Sequence, residues 1–304
     1  MMNRWQKQRQ SYLDRLEKQY ERELIRNYQV ALKELRAKTA KLYEKIGDNP
    51  DEFFTQAQKY NRLSKLEKDI ANEIGKLTGK TAKTLDKSQR HMYEESYYFT
   101  AYVLSNMVQA DLGYSALNQD LIKEGIRNPL DRVGYLQRNR DNQQRLARQL
   151  REQLTQGLIQ GESYQRTAKR IKERMNVGAS SAMRIAQTEN HRTRNRAHLD
   201  SIIEGEKAGL TIKKMWMATV DSNTRDRHAD LDGVEVDPNE PFEIDGYEAQ
   251  APGEFGESSM DINCRCTMVE NIDGFKPNSR RVRGVGVTEY KTFNEFKKEG
   301  LITE

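Results

Sequence analysis

Apolar residues recur along most of this chain with helical spacing, and only towards its end with the alternation of a strand. Tyr12, Leu16, Tyr20, Leu24 and Ile25, then Leu32, Leu35 and Leu42, line one side of a helix over Met1 to Gly47, read as one long helix or two. The stripe is sparse and Lys/Glu pairs are dense, so this helix is expected to rest on a partner or a neighbouring helix. Asp48-Asn49-Pro50 breaks the pattern, and Asp51 is placed to cap a short segment that opens with Phe53 and Phe54. Leu63, Leu66, Ile70, Ile74 and Leu77 predict a further helix ending near Gly79. From Thr81 to Leu117 an aromatic-rich helix carries Met92, Tyr93, Tyr97, Tyr98, Phe99, Tyr102, Val103 and Met107. Aromatic rings beside basic residues can stack on bases. Their helical spacing makes packing between helices the expected use, with His91 structural.

Asn128-Pro129 predicts a turn. Leu136 to Gln160 is an amphipathic helix with Leu146, Leu150, Leu154 and Leu158 on one face, stopped by Gly161. Ser163 is the N-cap expected for the next, with Ala168, Ile171 and Met175 inward. Asn176 to Gly178 predicts another turn, after which Ser180 or Ser181 caps a helix through Ile185 and Ala186 to Ile203. Such a pair has the outline of a DNA-reading helix-turn-helix, but any two packed helices share it.

The period then changes. Lys213 to Val220 reads as a strand with one face buried, Asp232-Gly233 as a tight hairpin turn, and Val234 and Val236 as a second strand. Pro252 to Met260 is rich in Gly and Ser and reads as a mobile loop. The tail carries Arg280, Arg281 and Arg283. Thr292 then caps a last helix with Phe293 and Phe296, ended by Gly300, which either docks elsewhere or folds back on the domain. The expected fold is mainly α with a small C-terminal α+β domain. It comprises an elongated helical part over 1–135, helices followed by a small β unit over 136–275, and a tail over 276–304.

Charge sharpens this outline. Met1 to Val220 holds 41 Lys and Arg against 27 Asp and Glu, a net of +14, and Asp221 to Glu304 holds 10 against 19, a net of −9. Solvated helix faces explain most of it. The functional reading is a basic half that meets nucleic acid or an acidic protein surface. No run of eighteen apolar residues occurs, so no membrane span is expected, and the first ten residues lack the apolar stretch of a secretory signal. Two cysteines in C-x-C spacing make a strained disulfide, so a reducing compartment is the simpler reading.

Side chains able to carry chemistry gather between Trp216 and Cys266: both cysteines, one of the four histidines and a knot of carboxylates. Cys264 and Cys266 would project from the same side of an extended segment. With His228 and one of Asp230, Asp232 or Asp261 they would make a tetrahedral zinc site. Structural zinc more often uses C-x-x-C, so the reading adopted is a plain buried core with no cofactor. His228 with Asp226, Asp230 and Asp232, and Glu189 as base, also sketches a metal-dependent hydrolase or nuclease. The sequence has no nucleophile elbow, phosphate loop or H-E-x-x-H, and a carboxylate-rich loop is more often a solvated turn, so no enzyme is expected.

The run R-I-A-Q-T-E-N-H-R-T-R-N-R-A from Arg184 to Ala197 is followed by W-x-A-T-x-D-x-x-T-R-x-x-H-x-x-L-D-G and closed by N-C-R-C. In these motifs, over about Arg145 to Met268, the chain resembles the phage head morphogenesis family, the phage Mu F-like minor head proteins. The family's A-R-T-E motif falls on Ala186, Gln187, Thr188 and Glu189, with Gln187 in place of the customary Arg. Its strand and exit fall on Trp216, Thr219, Asp221, Thr224 and Arg225, its histidine on His228, and its turn on Leu231, Asp232 and Gly233. Its closing loop falls on Asn263, Cys264, Arg265 and Cys266. Asp261 stands where many members have His, which weakens the expectation of a metal cage. Arg184 and Glu189 are expected to pair with each other or with Arg225.

The resemblance implies a minor capsid component acting in head morphogenesis at or near the portal, in the interior of a virion head assembled in the bacterial cytoplasm. The implied partners are a portal oligomer, a scaffold or major capsid protein, and double-stranded DNA bound without sequence preference; no membrane is implied. The competing classes are a non-specific DNA-binding protein and the metal-dependent hydrolase.

Overall fold

A computed structural model describes residues 2–47, 49–58, 61–114, 116–127, 133–272, 279–282 and 286–299. The helices are α1 (Arg4–Ile46), a 3-10 turn (Pro50–Glu52), α2 (Phe53–Gln58), α3 (Arg62–Val108), α4 (Gln119–Arg127), α5 (Tyr135–Ile159) and α6 (Tyr164–Lys207). Then come β1 (Ile212–Met217), α7 (Asp226–Asp230), β2 (Glu235–Val236), β3 (Phe242–Ile244), β4 (Tyr247–Ala249), α8 (Ser258–Asp261), β5 (Thr267–Ile272), β6 (Ser279–Val282), β7 (Gly286–Glu289) and α9 (Phe293–Lys298). The chain is mainly α with a small C-terminal α+β part. No helix of the described residues is long and apolar enough to cross a membrane.

Two compact units divide the residues. One is Lys18–Lys87 with Tyr135–Ala186, and the other is Met1–Glu17, Ser88–Gly134 and Gln187–Glu304. The first is all helix. Leu35, Leu42, Leu66, Ile70, Ile74 and Leu77 from α1 and α3 pack with Leu146, Leu150, Leu154, Leu158, Ile171 and Met175 from α5 and α6. These are the stripes read from the sequence, and burying them is what holds helices of such polar composition.

In the second unit β1 is the centre of an antiparallel sheet in the order β2-β1-β5, with Lys214 opposite Glu270 and Trp216 opposite Met268. On one face Trp216 clusters with Leu199 of α6. Met215 and Met217 on the other face pack with Val269 and Tyr290.

Several predicted breaks are absent. Gly79 does not end a helix, because α3 runs on through the expected start at Thr81. A Cβ at Gly79 would touch nothing, so neither a left-handed turn nor a close contact accounts for that glycine. Asn176 to Gly178 likewise stays inside α6, which excludes the helix-turn-helix. Ser180 and Ser181 bond back to the carbonyls of Asn176 and Val177 rather than capping. Gly178 serves packing, since a Cβ there would meet Leu146 at 2.8 Å. Ser163 does cap α6, accepting from the Arg166 amide at 3.5 Å. Asn49, not Asp51, caps the 3-10 turn by accepting from the Asp51 amide.

Asp232-Gly233 leads into β2 but is not a two-residue hairpin, because α7 lies between β1 and β2. That geometry occurs at Asp245-Gly246, both with positive φ, between the paired Ile244 and Tyr247. The 252–260 stretch is not a loose loop: Pro252, Gly253 and Met260 are buried, and the Asp261 carboxylate accepts from the Phe255 and Gly256 amides at 3.1 and 2.8 Å. Thr292 caps α9 in a reciprocal pair with Glu295, and Phe293 and Phe296 fold back onto Val220, Ala229 and Val282. The Asn128-Pro129 turn, Asp48, the Arg281 side chain, Arg283 and Gly300 lie outside the described residues.

Candidate functional site

Along α6 every residue from Thr188 to Asn195 is buried, although all eight are polar. Buried polar groups need partners, and these find them on surrounding elements. Asn190 bonds to Ser88 and Gln89 of α3, and the Arg194 carbonyl accepts from Ser96 at 2.6 Å. Arg192 donates to the Gly125 and Ile126 carbonyls that end α4, both at 3.0 Å, and lies 3.3 Å from Glu189. Arg194 reaches Asp14 of α1 at 3.1 Å. His191 Nε2 lies 2.6 Å from the Cys266 carbonyl, and Asn195 donates to the same carbonyl and to that of Pro252, both at 3.2 Å. One turn on, His198 Nε2 lies 2.8 Å from Glu270, whose carboxylate also takes two hydrogen bonds from Arg9, each at 3.0 Å. Burial alone would raise the Glu270 carboxyl, but Arg9 and His198 outweigh it and hold it ionised, well below the carboxylate range. Burial, reinforced by the Arg9 charge, pushes His198 down to about 4.

The strand-exit motif and the closing loop are tied to each other. Arg265 binds both oxygens of Asp221, at 2.7 Å for one of them, and its carbonyl accepts from Thr219 at 2.9 Å. Thr224 donates to the Thr219 carbonyl, and Arg225 to the carbonyls of Ile262 and Met260, at 2.5 and 3.3 Å. The Asn263 amide donates to Thr188 at 3.3 Å, which fastens the N-C-R-C loop to α6. Asp232 accepts from the Ala218 and Phe293 amides at 2.7 and 2.6 Å and from the buried Arg280. Gly233 has φ +87°, and a Cβ there would crowd Thr292 and Tyr290.

At the centre of these ties His228 points Nδ1 at both thiols, 3.3 Å from Cys266 Sγ and 3.7 Å from Cys264 Sγ. All three are buried, and the cysteines are free. The Trp216 ring stands edge-on to His228, 5.7 Å between centroids, with Phe242 and Phe255 beside Trp216. The Cys264 thiol is pulled down by hydrogen bonds from Cys266, His191 and His228, whereas burial and the Cys264 neighbour push Cys266 up.

Among the residues singled out in the sequence, the structure brings together His228, Cys264 and Cys266. It does not bring Asp261, Asp230 or Asp232 to them. Asp261 caps its own loop, Asp230 accepts from Asn294, and Asp232 holds Arg280. Asp226 is exposed beside Lys297, and Glu189 pairs with Arg192 rather than with Arg184, which is exposed. Sequence reasoning missed His191, Asn195, His198, Arg9, Glu270 and Arg280. The repeat of polar residues at three- and four-residue steps on α6 hinted at His191, Asn195 and His198, but that spacing normally marks a solvated face, and no sequence signal marked Arg9, Glu270 or Arg280. Two cavities, of about 710 Å³ beside Tyr12, Arg15 and Tyr98 and about 230 Å³ beside Arg196, Asp200 and Glu254, contain none of His228, Cys264 and Cys266.

This arrangement is a closed core fastened by buried polar contacts of the motif residues. Residues 148–269 match the family described as Phage Mu protein F like protein. The chain is 30% identical over 300 residues to Minor head protein GP7 of Bacillus phage SPP1, covering 97% of each chain. It is also 30% identical over 296 residues to an NAD(+)--arginine ADP-ribosyltransferase EFV of Enterococcus faecalis, covering 97% of this chain but spanning only 60% of that relative's length. No solved structure matches. The chain belongs to the phage minor head protein family.

Proposed function

We propose that the protein is a minor component of a phage head that works by assembly, bound at the portal and contacting packaged DNA. The observation that carries this reading is the match to the SPP1 minor head protein over 97% of both chains. The site supports a structural role, since the motif residues described above are spent on fastening α6, the exit of β1 and the N-C-R-C loop to one another. The transferase relative does not transfer its named activity by shared length, because the chain spans 60% of it.

The DNA contact rests on charge. Lys18–Lys87 with Tyr135–Ala186 holds 27 Lys and Arg against 15 Asp and Glu, a net of +12, while the rest of the chain holds 24 against 31, a net of −7. In that first unit Arg140, Arg145, Arg151, Arg166 and Lys169 are exposed, where they can meet phosphates. The minor capsid role implies the same surroundings as before: portal oligomer, scaffold or major capsid protein, in the head interior.

Co-expression with a portal protein drawn from the same genome tests both contacts. The two should co-purify as one complex, and the complex should retain double-stranded DNA at low salt and release it steeply as salt rises. A chain that elutes alone sinks the portal contact. DNA retention that ignores salt sinks the phosphate contact.

A further inference from the structure

The cluster beside Trp216 has the spacing of a metal centre. A tetrahedral zinc with Zn–S of about 2.3 Å and Zn–N of about 2.0–2.1 Å sets its nitrogen and sulfur ligands about 3.5 Å apart. The two His228 Nδ1 to sulfur distances, 3.3 and 3.7 Å, straddle that value, and the three ligand atoms all lie within 4.8 Å of one another. A thiol is a weak hydrogen-bond donor, so two thiols converging on one imidazole nitrogen make a poor substitute for a bond. Structural zinc takes four protein ligands.

Among the described residues His228, Cys264 and Cys266 are the three that come together, which leaves the fourth position of a tetrahedron open, as in zinc sites with three protein ligands and a water. His191 stands beside the site with its Nε2 2.6 Å from the Cys266 carbonyl, a contact that holds the closing loop against α6.

We infer that Cys264, Cys266 and His228 bind one Zn²⁺ that clamps the closing loop to α7. Such a site joins two segments far apart in sequence, so its binding energy is also folding energy. Asp261 is not a ligand, because its carboxylate is held by the Phe255 and Gly256 amides.

The test uses the full chain without a histidine tag, purified from zinc-supplemented cells. Elemental analysis should find one zinc per chain. Chelator should lower the melting temperature and release two titratable thiols, and Co²⁺ loaded in its place should show thiolate-to-metal charge transfer. His228→Ala should weaken zinc by more than the roughly 10–100-fold seen on losing an outer-shell partner. Wild-type protein without zinc, whose melting temperature ignores chelator, overturns the site whether or not any variant folds. A folded His228→Ala that keeps full zinc affinity overturns the site as well.

Discussion

Glu270→Ala should lower stability by about 3–5 kcal/mol, the effect of leaving a buried charge without its partner. Glu270 is 1% exposed and accepts from Arg9 and His198, so its removal strands a guanidinium and an imidazole in the interior. Denaturant unfolding of the variant against wild type measures the loss. The same cluster sets a pH dependence. His198 is held down to about 4 when folded, against an ordinary 6.5. The unfolded chain therefore takes up a proton as pH falls through 6.5 while the folded chain does not. Stability should drop from pH 6.5 towards 4 by on the order of 3 kcal/mol from this group. Glu270, held low, adds a further loss as pH falls below the usual carboxylate range. His198→Gln should flatten the upper part of that slope. An unchanged slope would mean that other groups carry it.

The second large effect is at Asp232. Its carboxylate joins the Ala218 amide, the start of α9 at Phe293 and the side chain of Arg280, all in one buried cluster. Asp232→Ala should cost about 3–5 kcal/mol and release α9, because the lost charge leaves Arg280 buried and two amides without acceptors. Hydrogen exchange reads both consequences: amides of 293–298 should lose protection in the variant while those of α5 keep theirs. Protection lost equally across both units would contradict a local tie.

The amphipathic helices were legible because their leucines repeat every four residues, as at Leu146, Leu150, Leu154 and Leu158. The motif region was legible too, down to the meeting of His228, Cys264 and Cys266. What was not legible shares one physical cause: burial by neighbours that sequence alone does not bring together. Thr188 to Asn195 reads as a solvated helix face, yet α1, α3, α4 and the closing loop bond to it. Arg280 reads as part of a basic tail and is instead a buried ion. Gly79 and Gly178 read as stops, but a helix with packed partners tolerates a glycine at about 1 kcal/mol. The Asp-Gly hairpin was expected at 232–233, and the chain makes it thirteen residues later at 245–246.

Heads purified from cells expressing the whole morphogenesis region of the genome that encodes it should contain the protein, quantified by mass spectrometry, at a fixed ratio to portal and unaffected by extensive washing. Heads of full composition that lack it, with the protein left in the soluble fraction, would contradict the account.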